Sequence, residues 1–332
     1  MQFLSYVLLQ IDEACHHIQD GRLAQLRIAL LLLDNSAEIQ MHRCATEHLL
    51  HEEMRGRIRN RVLEIPEGHR PDTLQDLVRW VPIDTKRKQA VHRYFDEKVK
   101  YLTERAEQLD SRLAAPLSYL HKYRNEAYHH ARVRNETIET AAKLLLDINC
   151  ELLLNLSKGC TVYASDEDYS WIKQRFREDR PFLNTDFVPN AVKEFRATVD
   201  LNDESVAQLL VRHLRSRIQE VFRALEFIVE NTPCPDAQTA IRDSQAFNEE
   251  RRARYGLPRI RIEGLAERHS IDFLKELSHR LEEITAGKDR FEAFRAFSIL
   301  ESIFEPVEES VQELATEVDG MIQMQIDIAR GK

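Results

Sequence analysis

Breakers of backbone direction are scarce, with 9 Gly and 10 Pro among 332 residues. A chain that turns often needs many more of them, so a fold of numerous short strands and tight turns is excluded and long helices are expected. Aromatic residues make up 8% of the sequence, which argues against a β-rich core built on aromatic cross-strand pairs. The longest apolar run, Ile28 to Leu33, falls far short of the ~20 residues needed to cross a bilayer. The opening Met1-Gln2-Phe3-Leu4 lacks a basic region and Asp12 soon follows, unlike a secretory leader. A cytoplasmic protein with no membrane partner is therefore expected. Five cysteines (Cys15, Cys44, Cys150, Cys160, Cys234) are odd in number and form no C-x-x-C pair, so neither structural disulfides nor a thiolate zinc site is expected.

What is present fits a folded helical protein. The hydrophobic fraction is 43%, ordinary for a globular chain. The length exceeds what one core usually fills, so two domains are the default. The net charge of −9 gives no general attraction to nucleic acid, and any RNA contact must come from a local basic patch. Arginine supplies 35 of the 47 basic residues. Its fork suits phosphate, and it equally suits ion-paired helix faces.

Apolar residues at helical spacing predict helices over Leu4–Asp20, ending at Gly21, and over Arg22–Arg59, with Leu26, Leu30, Leu33, Ile39, Leu49 and Leu50 on its apolar positions. Pro66 to Pro82 reads as a loop holding one short helix. One long helix is expected from Asp84 through Val91, Phe95, Val99, Leu102 and Leu109, stopping before Pro116. After a segment from Leu117 to Arg134, Asn135–Ser157 carries the strongest stripe of this half. The acidic run Ala164-Ser165-Asp166-Glu167-Asp168 and the prolines 181 and 189 then mark a boundary. The expected organisation is an all-α chain: a helical bundle over 1–160, a linker over 161–189, and a second helical domain over 190–332. In the latter, helices are expected near Asn190, from Asn202-Asp203 to the Pro233-Cys234-Pro235 break, and over Asp236–Tyr255, Ser270–Thr285 and Arg290–Ile328, the last bent at Pro306.

The chemistry concentrates in His121-Lys122-Tyr123-Arg124-Asn125-Glu126-Ala127-Tyr128-His129-His130, followed by Arg132 and Arg134. By chance, 35 Arg and 13 His in 332 residues give about one Arg-x4-His match. Arg43 to His48 and Arg87 to His92 are two such decoys, neither with Asn after the Arg. The full string, its place ahead of a long helix, and Leu33-Asp34-Asn35-Ser36-Ala37-Glu38 upstream together resemble the HEPN superfamily of helical nucleotide-binding and ribonuclease domains, over residues 1 to about 160. The resemblance implies a bundle of four or five helices, homodimerisation, and a composite site in which paired Arg124, Asn125 and His129 cleave RNA without metal or other cofactor. It further implies a role as a toxin or in defence against phage, with an antitoxin or regulatory protein as a possible partner. His130 is close enough to share the role of His129, and Tyr128 lies beside them. Some members carry a modified Tyr two residues after the motif His; here Ala131 stands there.

These residue types suit the chemistry. A ribose 2′-hydroxyl attacks its neighbouring phosphate when a group takes its proton and another stabilises the added negative charge. Histidine, with an ordinary pKa near ~6.5, is base or acid near neutrality. Arginine stays cationic and matches phosphate oxygens. The bland alternative has Arg124 bonding the last carbonyls of the preceding helix, with His129 and His130 solvated. Asp34, Glu38 and His42 share one helix face; they either border the cleft and orient Arg124, or form a solvated or ion-paired surface.

Three other readings stand beside this one. Glu13–His16, Glu126–His129 and Glu276–His279 have the spacing of di-iron bundle ligands, although the further inward carboxylates such a site requires are not evident. Arg251, Arg252, Arg254, Arg259 and Arg261 crowd around Tyr255, as an RNA-binding loop or as partners of Glu249, Glu250 and Glu263. Lastly, a HEPN-like half can be a non-catalytic scaffold or sensor.

Overall fold

The computed structural model describes residues 2–129, 137–156, 170–177, 186–199, 201–256, 268–285 and 289–330. Among them every regular element is helical. The chain divides into two compact units, Met1–Leu201 and Asn202–Lys332.

In the first unit α1 (Gln2–Asp20) and α2 (Leu23–Leu63) form a hairpin. Gly21 closes it at φ +70°, a left-handed conformation that costs a residue without Cβ little. The long α2 packs against α7 (Ile138–Leu156). Ala141, Ala142, Leu144, Leu145, Leu146, Ile148 and Cys150 of α7 are all buried, so most of its circumference is covered, and Glu139 and Asn155 mark the row left to solvent. After the hairpin come two 3-10 turns (Glu67–His69 and Asp72–Leu74) and a short α3 (Gln75–Arg79). Leu50, expected on the apolar stripe of α2, is instead 55% exposed.

Three expectations are corrected here. The single helix from Asp84 is two, α4 (Thr85–Arg93) and α5 (Phe95–Glu104), separated by an extended Tyr94 at φ −110°, ψ 136°. No Gly or Pro marks the break, and the apolar spacing of Val91, Phe95, Val99 and Leu102 runs straight through it. Pro116 ends nothing: it lies in the second turn of α6 (Ser111–His129). Its missing amide forfeits one helical bond, offset by the burial of Leu113, Leu117 and Leu120 on that helix, at roughly 1.5–3 kcal/mol for each large side chain.

The third concerns 161–189. Its described part is not an extended tether: α8 (Ser170–Phe176) and the start of α9 (Phe187–Ala197) belong to the first unit. The Trp171 indole donates to Ser5 Oγ at 3.1 Å, Arg175 bonds Asp12 at 2.8 Å, and Phe176 meets Phe187 and Phe195 edge-on. Pro189 sits in the first turn of α9, where a missing amide is harmless. The division between units therefore falls at Leu201/Asn202.

In the second unit α10 (Asp203–Asn231) opens on Asn202, whose side chain accepts from the amides of Glu204 and Ser205 at 2.9 and 3.4 Å. It is followed by α11 (Ala237–Arg254), α12 (Ile271–Arg280), a short α13 (Glu282–Thr285) and α14 (Arg290–Ala329). Leu210, Leu214, Ile218, Val221 and Leu225 of α10 share a core with Phe294, Phe297, Phe304, Val307 and Val311 of α14. Pro306 lies inside α14. None of the described helices is long and apolar enough to cross a membrane.

Candidate active site on helices α2, α5 and α6

Asp34 is completely buried on α2. Removing a carboxylate from water costs several kcal/mol unless it is paired, and two groups of α6 compensate it. His121 Nδ1 lies 2.8 Å from Asp34 Oδ1, and Arg124 Nε lies 3.3 Å from Oδ2. The histidine contact is a hydrogen bond. The arginine contact is coulombic, since neither Arg124 Nε nor Asp34 Oδ2 finds an aligned hydrogen-bond partner among the described residues. Both side chains stay open to solvent, His121 at 21% and Arg124 at 27%.

Arg124 Nη1 donates to Asn125 Oδ1 at 2.7 Å. The His121 ring stacks on Phe95 of α5, with centroids 3.8 Å apart and planes 6° from parallel. Carboxylate on one side and ring on the other fix the imidazole in place and plane. Arg124 does not cap a preceding helix as the bland reading had it, because α6 continues through His129. Positions 121, 125 and 129 thereby fall on one helical row.

The α2 row of Asp34, Glu38 and His42 is divided among three neighbours. Asp34 meets α6. Glu38 pairs with Lys98 of α5 at 3.1 Å, an ammonium whose side chain is 2% exposed. His42 meets His92 of α4 edge-on, with ring centroids 5.7 Å apart. Burial, followed by Lys98 and His92, holds His42 below the ordinary imidazole range, against the opposing pull of Glu38. Glu38 thus makes an interhelical pair, and of this row Asp34 is the residue that lies against Arg124 among the described residues.

The two decoys are engaged elsewhere. Arg43 pairs with Glu47 at 2.8 Å and lies over the Phe3 ring, while His48 Nδ1 is 2.6 Å from the Tyr101 hydroxyl. Arg87 faces Glu104 at 3.8 Å.

Several expected residues cannot be placed. The side chains of Glu126, Tyr128 and His129 lie outside the described residues, as do His130, Ala131, Arg132 and Arg134, and Arg259, Arg261 and Glu263 of the basic loop. Of the rest of that loop, Arg251, Arg252 and Arg254 occupy the last turn of α11. Arg254 pairs with Glu250 at 3.2 Å, and Arg251 faces Glu313 of α14 at 3.7 Å. Basic residues at a helix C-terminus also complement its dipole. No three His, Cys, Asp or Glu side chains converge in a metal-holding arrangement among the described residues.

His121 and Phe95 are functional candidates that the motif does not name. A helical projection of α6 would have found the histidine, since His121 precedes Arg124 by one turn on the same face. Comparison of the chain with protein-family models, with curated proteins and with solved structures finds no match.

Proposed function

We propose that the first unit is an endoribonuclease of HEPN type, working as a homodimer on RNA without a metal. The observation that carries this reading is the Asp34–Arg124–Asn125 chain: a guanidinium whose Nη1 donates to an amide oxygen and whose Nε lies 3.3 Å from a buried carboxylate, with part of its surface still in solvent. A donor held in advance of the reaction stabilises charge developing on a phosphate without reorganising.

In this reading Arg124 binds the non-bridging oxygens of the scissile phosphate, and Asn125 keeps the fork in register. The 2′-oxygen bonds to phosphorus, the bond from phosphorus to the 5′-oxygen breaks, and a 2′,3′-cyclic phosphate and a 5′-hydroxyl result. One proton leaves the 2′-hydroxyl and one reaches the 5′-oxygen, with His129 as a transferring group. A toxin or phage-defence role, with an antitoxin or regulatory partner, belongs to the same proposal.

The same cluster also favours a second reading: Asp34 neutralises Arg124 and staples α2 to α6, as in a non-catalytic scaffold. Incubation with RNA in excess EDTA separates the two. The nuclease reading expects cleavage that survives chelation, leaves 2′,3′-cyclic phosphate ends, and falls about 100-fold or more in Arg124→Ala and in His129→Ala. Wild-type protein that leaves RNA intact supports the scaffold.

A further inference from the structure

We propose that His121 is a second proton-transfer residue of this site, the base that takes the 2′-hydroxyl proton while His129 protonates the leaving 5′-oxygen. This rests on the nuclease reading above and adds a catalytic group to it.

The argument begins with the tautomer. Asp34 Oδ1 is 2.8 Å from His121 Nδ1, and a carboxylate only accepts, so the proton of a neutral His121 ring sits on Nδ1. The lone pair then sits on Nε2, the nitrogen turned away from the carboxylate. Once Nε2 takes a proton, the ring becomes an imidazolium facing Asp34, which stabilises it. A buried carboxylate behind an imidazole is the arrangement of a general base.

Placement supports the assignment. His121 is 21% exposed on its side chain, so a substrate can reach it. Position 121 lies one turn before Asn125 and position 129 one turn after it, each roughly 6 Å of helix rise from the Arg124–Asn125 pair. In the nuclease reading, a base at position 121 and an acid at position 129 are the two groups that in-line transesterification needs. The proton balance closes: one passes from the 2′-hydroxyl to His121 Nε2 and one from His129 to the 5′-oxygen.

Among the described residues, Asp34 from α2 and Phe95 from α5 face His121, and Arg124 from its own helix shares Asp34 with it. On α5, Asp96 and Glu97 follow Phe95 in the first turn, and Lys98 is held by Glu38. Phe95 fixes the ring without competing for a proton.

His121→Asn tests this directly, because the Asn amide can still donate to Asp34 while the titratable Nε2 is gone. The expected result is cleavage slowed about 100-fold or more, unchanged affinity for an uncleavable 2′-deoxy oligonucleotide, and loss of the limb of the kcat/KM–pH profile that rises with pH. A second measurement needs no change at 121: RNA with sulfur in place of the bridging 5′-oxygen has a leaving group that needs no acid. On that substrate His129→Ala is expected to recover most of its loss and to keep the rising limb. An active wild type with His121→Asn at full rate, or a rising limb that vanishes in His129→Ala on the sulfur substrate, overturns the base assignment and leaves the nuclease standing. An inert wild type overturns both.

Discussion

In the second unit one guanidinium, Arg217, lies between two carboxylates; in the first, one carboxylate, Asp34, lies between an imidazole and a guanidinium. Arg217 bonds Glu308 Oε1 at 2.9 Å, bonds Glu301 as well, and lies over the Phe304 ring. Its side chain is 13% exposed and Glu301 is wholly buried. There the acidic side is in excess, so the local charge does not favour a further anion. Around Asp34 the donor side is in excess and both donors reach solvent. Ion pairing therefore builds a core tie in one unit and, in the other, a cluster whose donors remain partly exposed, and the stoichiometry decides which.

The largest effect expected from this contrast is on stability. Arg217→Ala takes the guanidinium away from two buried carboxylates, at about 3–5 kcal/mol. Arg124→Ala leaves Asp34 its bond to His121, at about 1–3 kcal/mol. Urea unfolding of the full chain followed by circular dichroism should show the larger midpoint shift for Arg217→Ala, while RNA cleavage should be lost in Arg124→Ala. Equal stability losses would erase the distinction between a tie and a site.

A smaller effect should follow pH. His42 is held below the ordinary imidazole range in the folded protein, first by burial, so the unfolded chain binds its proton more readily. Stability contributed by keeping it neutral is full above the ordinary imidazole pKa and is lost as pH falls through that value toward the lower folded one. His48 shifts in the same direction, again first by burial. Unfolding free energies at pH 7.5 and 5.5 should differ in that sense, and His42→Gln should shrink the difference. A variant as acid-sensitive as wild type would remove His42 from the balance.

How much of this was legible beforehand depended on range. Gly21 and the stripes of α1, α2, α7 and α10 are local patterns, and the helices appear where spacing places them. Arg124, Asn125 and Asp34 were readable from short strings. His121 shares a helix face with Arg124, which spacing alone shows, but its partners on α2 and α5 come from distant parts of the chain and no short pattern links it to them. Tyr94 breaks a helix without any residue that breaks helices, and Leu50 keeps helical spacing where α2 has nothing to bury it against. Composition near 161–189 suggested a tether, yet Trp171, Arg175 and Phe176 carry long-range contacts that composition cannot express.

The smallest expected effect tests the other end of the contrast, the arginines of α11. Arg254 and Glu250 have side chains 69% and 73% exposed, a pair worth at most about 0.5 kcal/mol on a helix surface. Arg251 is 3.7 Å from Glu313, beyond a good hydrogen bond. Neither contact holds its guanidinium in one orientation, so this turn lacks the preorganisation seen at Arg124. The double reversal Arg251→Glu with Arg254→Glu should therefore shift stability by no more than about 1 kcal/mol and leave RNA affinity unaltered. Salt dependence decides the matter more sharply than affinity, because each phosphate contact to single-stranded RNA contributes about 0.7 to the slope of log K against log salt. Two such contacts would lower the slope by about 1.4 on reversal, and Tyr255, 67% exposed, would be the ring on which a base stacks. An unchanged slope leaves nucleic-acid binding to the first unit, and a lowered one shows that the second unit grips RNA through a basic turn that its ion pairs do not saturate.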